Sequence, residues 1–348
     1  MRRLLPLVVS VLLLTGCGGG RIVDSDPYPA ASRGGQPRTS GLSAGSVDDN
    51  ARFREYLSYL REVTGVAHPV DVSSRRVVTV VDSAGRPLPG AVVRQGAFEA
   101  RTYADGRALV YGPGEVTVEY GDAVVRAAST GSTTLPVSRP AGRPRLQVLF
   151  LIDTTGSMGD EIERLKATVG DVASRIGALG ELELGMTLYR DRGDEYVVRT
   201  TDFTASVESF RSSLSEVTAD AGSDTPEDVN AGLHAALGAS WRAEAVKLLF
   251  LIGDAPPHLD YQDGVDYVVS TREAARRAIK IMPVASSGLD ATGEYVFRQL
   301  AQQTMGRFTF LTYGPDGRST EHHVSDYAVL ALDDLIVRLV KEELKPLT

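Results

Sequence analysis

The sequence predicts an α/β protein. A doubly wound, mainly parallel sheet with helices on both faces spans residues 146–348, and a small all-β sandwich precedes it over residues 70–140. Three observations predict this. From residue 146 onward, apolar strand-like runs alternate with segments of helical period. Two of those runs, LFLID ending at Asp153 and LFLIGD ending at Asp254, are almost continuously apolar and both stop on an acid. Upstream, short β-branched runs are separated by turn signals, the rhythm of an antiparallel sandwich.

The bounds agree. A chain of 348 residues has room for two or three domains, and 43% hydrophobic with 24% charged residues is a globular mixture. The net charge of -8, with no basic stripe to offset it, excludes a nucleic-acid binder. A single cysteine excludes an intrachain disulfide and a cysteine-built zinc site.

That cysteine has a particular address. Arg2 and Arg3 precede an apolar run from Leu4 to Leu14, well short of the ~20 residues a membrane span needs. Leu14-Thr15-Gly16-Cys17 then resembles the lipobox of bacterial lipoproteins. The resemblance implies that residues 1–16 are a signal peptide and that Cys17 becomes lipidated, with palmitate among its acyl chains. The alternative is an ordinary secretory signal with a chance cysteine. Several acyl chains, at ~0.8 kcal/mol per buried CH₂, anchor a protein firmly to a membrane. The implied location is the bacterial cell envelope, facing periplasm or exterior, and Gly18 is compatible with an outer membrane.

Residues 17–45, rich in Gly, Ser, Pro and Ala, read as a flexible tether reaching on the order of 30 Å. Residues 46–66 follow as an amphipathic helix with Phe53, Tyr56, Leu57 and Leu60 on one face, Asp48 or Asp49 as cap and Gly65 as stop. It is expected to dock on a neighbouring domain; a partner-binding helix is the alternative. Over 70–140, RRVVTVVD, GAVVRQGA, EVTVEY and DAVVRAA are punctuated by Ala84-Gly85, Pro89-Gly90, Asp105-Gly106 and Gly112-Pro113-Gly114. This stretch resembles the carboxypeptidase-regulatory-like, transthyretin-like domains of exported bacterial proteins, which implies a spacer or a binding module; with no chemistry visible in it, it is read as a structural spacer. Residues 139–144, RPAGRP, read as a hinge.

In the last region LQVLFLID is a buried strand, and Ile162, Leu165, Val169, Val172 and Ile176 mark one face of the following helix. LELGMTLYRD and YVVRTTDFT read as a strand and its hairpin partner. Helices are expected near 205–217, 227–240, 271–280 and 294–303, with strands VKLLFLIGD, KIMPVASS and RFTFLTYG between them. A long helix carrying Leu332, Leu335, Ile336 and Leu339 closes the chain.

The two acids at strand ends raise the functional question. Ligands of doubly wound sheets bind beyond the carboxyl ends of strands, where the strand order reverses. Two carboxylates meeting there repel each other, so one takes a proton or a cation joins them. Thr155, Ser157 and Thr225 supply neutral oxygen donors nearby, and hard oxygen donors select Mg²⁺, Mn²⁺ or Ca²⁺. Each hydroxyl also has a purely structural reading, because Ser157-x-x-Asp160 and Thr225-x-x-Asp228 fit capping boxes, with Pro226 at the first helical position in the second.

Asp153-Thr154-Thr155-Gly156-Ser157 resembles the Asp-x-Ser/Thr-x-Ser motif of von Willebrand factor type A (VWA) domains. Thr225 and Asp254 match the other two elements of that family's metal-ion-dependent adhesion site (MIDAS), over residues 146–348. The resemblance implies a Rossmann-like sheet ordered 3-2-1-4-5-6. It implies hydroxyl ligation by Thr155, Ser157 and Thr225, and ligation by Asp153 and Asp254 directly or through water. It also implies a binding module, not an enzyme, whose protein partner donates an Asp or Glu to a Mg²⁺ or Mn²⁺ ion.

An enzyme is the rival: haloacid-dehalogenase-like phosphatases also place an acid after an apolar strand and use Mg²⁺. Here position 155 is threonine where such an enzyme needs its general acid, Thr225 has no role, and Asp260 is too far from Asp254. A serine hydrolase fails because Thr155-Gly156-Ser157-Met158-Gly159 lacks the first glycine of a nucleophile elbow. Asp191 and His258 are placed to rim the site. Arg192-Gly193-Asp194 reads as a solvated hairpin loop, and His322 with His323 as exposed histidines.

Overall fold

The computed structural model describes residues 41–66, 71–222 and 225–348. The signal peptide, Cys17 and the tether as far as residue 40 lie outside the described residues. Among the described residues no helix is long and apolar enough to cross a membrane.

Residues 43–47 do not belong to a tether. They form strand β1 (Ser43–Val47), which lies antiparallel to residues 308–312 near one edge of the large sheet. SAGSV carries almost no strand propensity, so long-range pairing creates this strand. Helix α1 (Phe53–Glu62) buries Tyr56 and Tyr59. Neither predicted acid caps it. Asp48 turns the chain by accepting the Asn50 and Ala51 amides at 2.9 and 3.0 Å, and Asp49 is buried 2.7 Å from Arg298.

Seven strands follow: β2 (Arg75–Val81), β3 (Val92–Gln95), β4 (Phe98–Arg101), β5 (Arg107–Tyr111), β6 (Glu115–Tyr120), β7 (Ala123–Ala128) and β8 (Gly131–Thr134). They form two sheets, ordered β5-β2-β8 and β4-β3-β6-β7. Alternate side chains of the two sheets, among them Val78, Val80, Val93, Val110, Val116 and Val118, share one apolar cluster. Tyr103 and Leu109 from this region also pack on Ala278 and Met305 of the large domain.

The large domain begins with β9 (Arg145–Asp153), buried at every position after Arg145. Helix α2 (Gly159–Ile176), β10 (Glu181–Tyr189), β11 (Val198–Thr204), α3 (Val207–Ser215), α4 (Val229–Leu237) and β12 (Val246–Gly253) come next. The chain then runs through α5 (Tyr267–Arg276), β13 (Ile279–Ala285), α6 (Ala291–Gln303), β14 (Phe308–Thr312), β15 (Leu330–Ala331) and α7 (Leu332–Leu344). The eight-stranded sheet is ordered β11-β10-β9-β12-β13-β14-β1-β15. Strand β9 is paired in parallel with β10 on one side and β12 on the other. The strand order therefore reverses between β9 and β12, where a ligand crevice forms in such sheets.

Strand alternation explains the two cores. Leu146, Val148, Phe150 and Ile152 face α2, α3 and α7, while Leu149 and Leu151 face α4, α5 and α6. All five positions singled out on α2 are buried. The helix expected at 271–280 runs instead from Tyr267 to Arg276, because Asp266 caps it through the Val269 amide at 2.9 Å and β13 starts at Ile279. His322 is not exposed: it is 7% accessible and packs edge-on against Phe308 and Phe310, with Nδ1 3.5 Å from Glu294.

Gly306 holds the α6–β14 corner against the sheet. A Cβ there would overlap the Ile281 carbonyl oxygen. Gly306→Ala is expected to lower stability by about 1–3 kcal/mol, the range for overpacking, as read by denaturant unfolding. An unchanged midpoint would mean that this corner yields freely.

Candidate metal centre

The crevice is built from three loops. The first follows β9. Asp153 is fully buried, and its Oδ1 accepts hydrogen bonds from the Thr155 amide at 2.9 Å and the Thr155 hydroxyl at 2.7 Å. Thr155 Oγ1 lies 3.2 Å from Ser157 Oγ. The adjacent Thr154 hydroxyl turns the other way, toward the Tyr189 carbonyl at 3.0 Å and the Tyr196 hydroxyl at 2.7 Å. Alternate residues of Asp153-Thr154-Thr155-Gly156-Ser157 thus face the crevice.

The second loop follows β12, whose Ile252 is in register with Ile152 of β9. Asp254 therefore emerges beside Asp153. Oδ2 of Asp153 and Oδ1 of Asp254 are both buried and have no hydrogen-bond partner. Burial, and then the charge of Asp254, pushes the Asp153 carboxyl up to about 7, against hydrogen bonding from Thr155. The Tyr189 hydroxyl also favours the Asp153 anion, although it stands outside full hydrogen-bond geometry. Asp254 is raised as well, chiefly by burial, while the Ser157 hydroxyl pulls it down. Gly253 makes the close approach of these groups possible, since a Cβ there would overlap the Tyr189 hydroxyl and lie 3.3 Å from Asp153 Oδ2.

The third loop crosses both others. The Asp220 amide donates to the Thr154 carbonyl at 3.1 Å, and the Gly156 amide to the Ala221 carbonyl at 2.9 Å. Gly222, at φ +65°, lets the chain lie on Thr155, where a Cβ would sit 2.7 Å from the threonine Cβ. Beyond Thr225, the Glu227 amide donates to the Pro256 carbonyl and the His258 amide to the Glu227 carbonyl, each at 3.1 Å. Thr225 precedes these contacts by two residues and is exposed.

The capping readings of the hydroxyls do not hold. The residue before α2 is Met158, and no side chain caps that helix. Helix α4 starts at Val229, and its cap is Asp228, which accepts the Ala231 amide at 2.9 Å. Neither Thr225 nor Pro226 is part of that helix, contrary to the expectation that Thr225 begins it. Ser157 and Thr225 therefore have no helix-capping duty.

On the rim, Asp191 and His258 come together, with Nε2 of His258 3.5 Å from Asp191 Oδ1. His258 stacks on Tyr261 at 3.9 Å between ring centres, and the Tyr261 hydroxyl donates to Asp191 at 3.3 Å. Arg192 of the Arg-Gly-Asp string lies over the Tyr261 ring and pairs with Asp228 and Asp263.

Sequence reasoning missed Glu227. It is 2% exposed, its Oε2 has no partner, and its carboxyl is pushed up to about 8 by burial first and then by Asp153, Asp191, Asp194 and Asp254. The signal was present in TPEDVN, where two acids follow the threonine and only Asp228 is needed as a cap. Among the described residues no group of three or more His, Cys, Asp or Glu side chains is arranged to hold a metal. The crevice instead brings together a carboxylate pair and the Thr155 and Ser157 hydroxyls.

Residues 147–313 match the model of the von Willebrand factor A domain, so a VWA domain is found in this chain. The chain is also 30% identical over 117 residues to the alpha-protein kinase vwkA of Dictyostelium discoideum. That match covers 32% of this chain and 19% of the kinase, so the chain spans under a fifth of that relative's length.

Proposed function

We propose, from a chain that carries a VWA domain, a protein-interaction module that binds its partner through a divalent cation. The observation that supports this most is the pair of buried, unpartnered carboxylate oxygens on Asp153 and Asp254, beside the Thr155 and Ser157 hydroxyls. Isolated buried anions are costly, and a cation between them removes that cost. The donors fit a hard ion: Asp153 and Asp254 as carboxylates, with Thr155, Ser157 and Thr225 as neutral oxygens. Bound there, Mg²⁺ or Mn²⁺, or Ca²⁺, would supply electrophilic attraction for an Asp or Glu of a partner protein. The chain's own share is to hold the donors rigidly. Thr155 fixes Asp153, Tyr189 backs it, and backbone hydrogen bonds join the loop that carries Thr225 to the other two. We extend the proposal to a lipid-anchored protein of the cell envelope, on the strength of the Leu14-Thr15-Gly16-Cys17 sequence.

The test is metal titration by calorimetry. Thr225→Ala is expected to weaken Mg²⁺ or Mn²⁺ binding by roughly tenfold or more, the scale seen when a supporting group of a metal site is lost. In chelator the variant should melt like the wild type, because Asp228 caps α4. Undiminished metal affinity would remove Thr225 from the site. A phosphatase screen, with Asp153→Asn as control, addresses the enzyme rival: turnover abolished by that substitution would make this a hydrolase.

A further inference from the structure

The other end of the large sheet carries a second site of different chemistry. The first residues of β9, β12 and β13 face the sandwich across the linker 139–144, and a cleft of about 620 Å³ lies between them. That volume falls within the range of small-molecule sites. Arg86, Arg139, Arg143, Arg145, Lys247 and Lys280 line it, against three acids, Glu181, Glu244 and Glu343. In a chain of net charge -8, a pocket with twice as many cations as anions is a local reversal of sign.

Most of these cations have partners. Arg145 pairs with Glu181 and Glu244 at 2.9 and 2.7 Å, and Lys280 with Glu343 at 2.7 Å. Arg86 pairs with Asp82 at 2.7 Å, and Arg139 donates to the carbonyls of Pro346 and Leu347. The Arg139 guanidinium thus has carbonyl but no carboxylate partners among the described residues, and Lys247 and Arg143 share that lack. Lys247 is 4% exposed, and its ammonium donates to the carbonyls of Arg242 and Ala243 at 3.2 and 3.1 Å. Among the described residues it has no carboxylate within salt-bridge distance, and neither does the exposed Arg143. Burial, and then the neighbouring Arg101 and Arg277, lowers the Lys247 ammonium to about 8, against a weaker attraction from Glu244. An ammonium uses three donors, and only two are engaged here. A buried charge without a counter-charge is unfavourable until an anion supplies one.

We propose that this cleft binds a small phosphate monoester. Three cations without a carboxylate partner, Arg139, Arg143 and Lys247, suit a group carrying about -1.5 to -2 charges at neutral pH. Tyr103 and Tyr120, with Pro89 and Pro140, give the cleft flat apolar walls for the organic remainder of the ligand. The site stands apart from the Asp153 crevice, at the opposite ends of the strands.

The experiment is calorimetric titration of the purified protein, stripped of divalent ions, at fixed ionic strength. The probes are inorganic phosphate and phenyl phosphate. Both should bind the wild type, phenyl phosphate more tightly. Lys247→Met and Arg143→Gln should each weaken binding by roughly tenfold, the loss expected for a charge-assisted hydrogen bond. Lys247→Met should melt no lower than the wild type without ligand, since replacing a buried unpaired cation by an apolar side chain of similar length relieves a desolvation penalty. Arg143 is exposed, so its variant folds regardless and decides the matter alone if the other does not. Absence of phosphate binding in the wild type, or undiminished binding in either variant, would overturn the assignment.

Discussion

With the proposed cation site at Asp153 and Asp254, Asp153→Asn is expected to abolish divalent-ion effects on the stability of this protein. The asparagine keeps the shape and the contact with Thr155 but removes one of two anions that face each other in the crevice. A second effect runs in the opposite direction. Without metal, the wild type carries a buried carboxyl whose pKa rises from 3.8 to about 7, and Glu227 rises from 4.5 to about 8, with burial the first cause in each. An acid that holds its proton more tightly when folded gives stability that is complete below its unfolded value. That stability is lost as pH rises through the folded value. In chelator, wild-type stability should therefore decline from the acidic range up to about pH 7–8. A tenfold gain in proton affinity is worth about 1.4 kcal/mol, so the rise at Asp153 alone contributes a few kcal/mol to that decline. Asp153→Asn should make the decline shallower by removing Asp153's share and leaving that of Glu227, and Mg²⁺ should restore alkaline stability to the wild type alone. Thermal melts across pH, with Mg²⁺ and with chelator, measure all of this. A flat wild-type profile would contradict the buried pair, and Mg²⁺ stabilisation surviving in the variant would place the ion elsewhere.

The second large effect is structural. Arg298→Met is expected to lower stability by about 3–5 kcal/mol, the loss typical of removing one partner from a buried ion cluster. The Arg298 guanidinium lies 3.7 Å above the Tyr59 ring and bonds Asp49 at 2.7 and 2.9 Å and Glu294 at 3.1 Å. Asp49 and Glu294 are each about 2% exposed or less, so neither recovers its solvation when the cation goes. The segment carrying β1 and α1 should then become sensitive to protease, with cleavage before residue 66. The double variant with Asp49→Asn should regain part of the loss. Equal stability of Arg298→Met and wild type would show that packing, not charge, fastens that segment.

The large domain was legible because its signals are local and strong. LQVLFLID and VKLLFLIG are too apolar to lie anywhere but the middle of a sheet, and the period of Ile162, Leu165, Val169, Val172 and Ile176 left one orientation for α2. The acids at the strand ends stood out for the same reason. What stayed hidden depends on distant partners. SAGSV becomes a strand only because β14 offers it an edge, and Asp49 looked like a cap because Arg298 lies about 250 residues away. His322 read as exposed because the phenylalanines that enclose it belong to β14. Glu227 was hidden by its neighbour Asp228, whose capping role accounts for only one of the two acids.

The direction of β1 bears on how the molecule stands. Ser43 is in register with Thr312, at the carboxyl end of β14, so the chain enters the sheet on the face that bears Asp153 and Asp254. The sandwich packs near Ala278, just before the start of β13, at the opposite pole. The amino end of the described residues and the Asp153 crevice thus share one pole of the molecule, and the sandwich stands at the other.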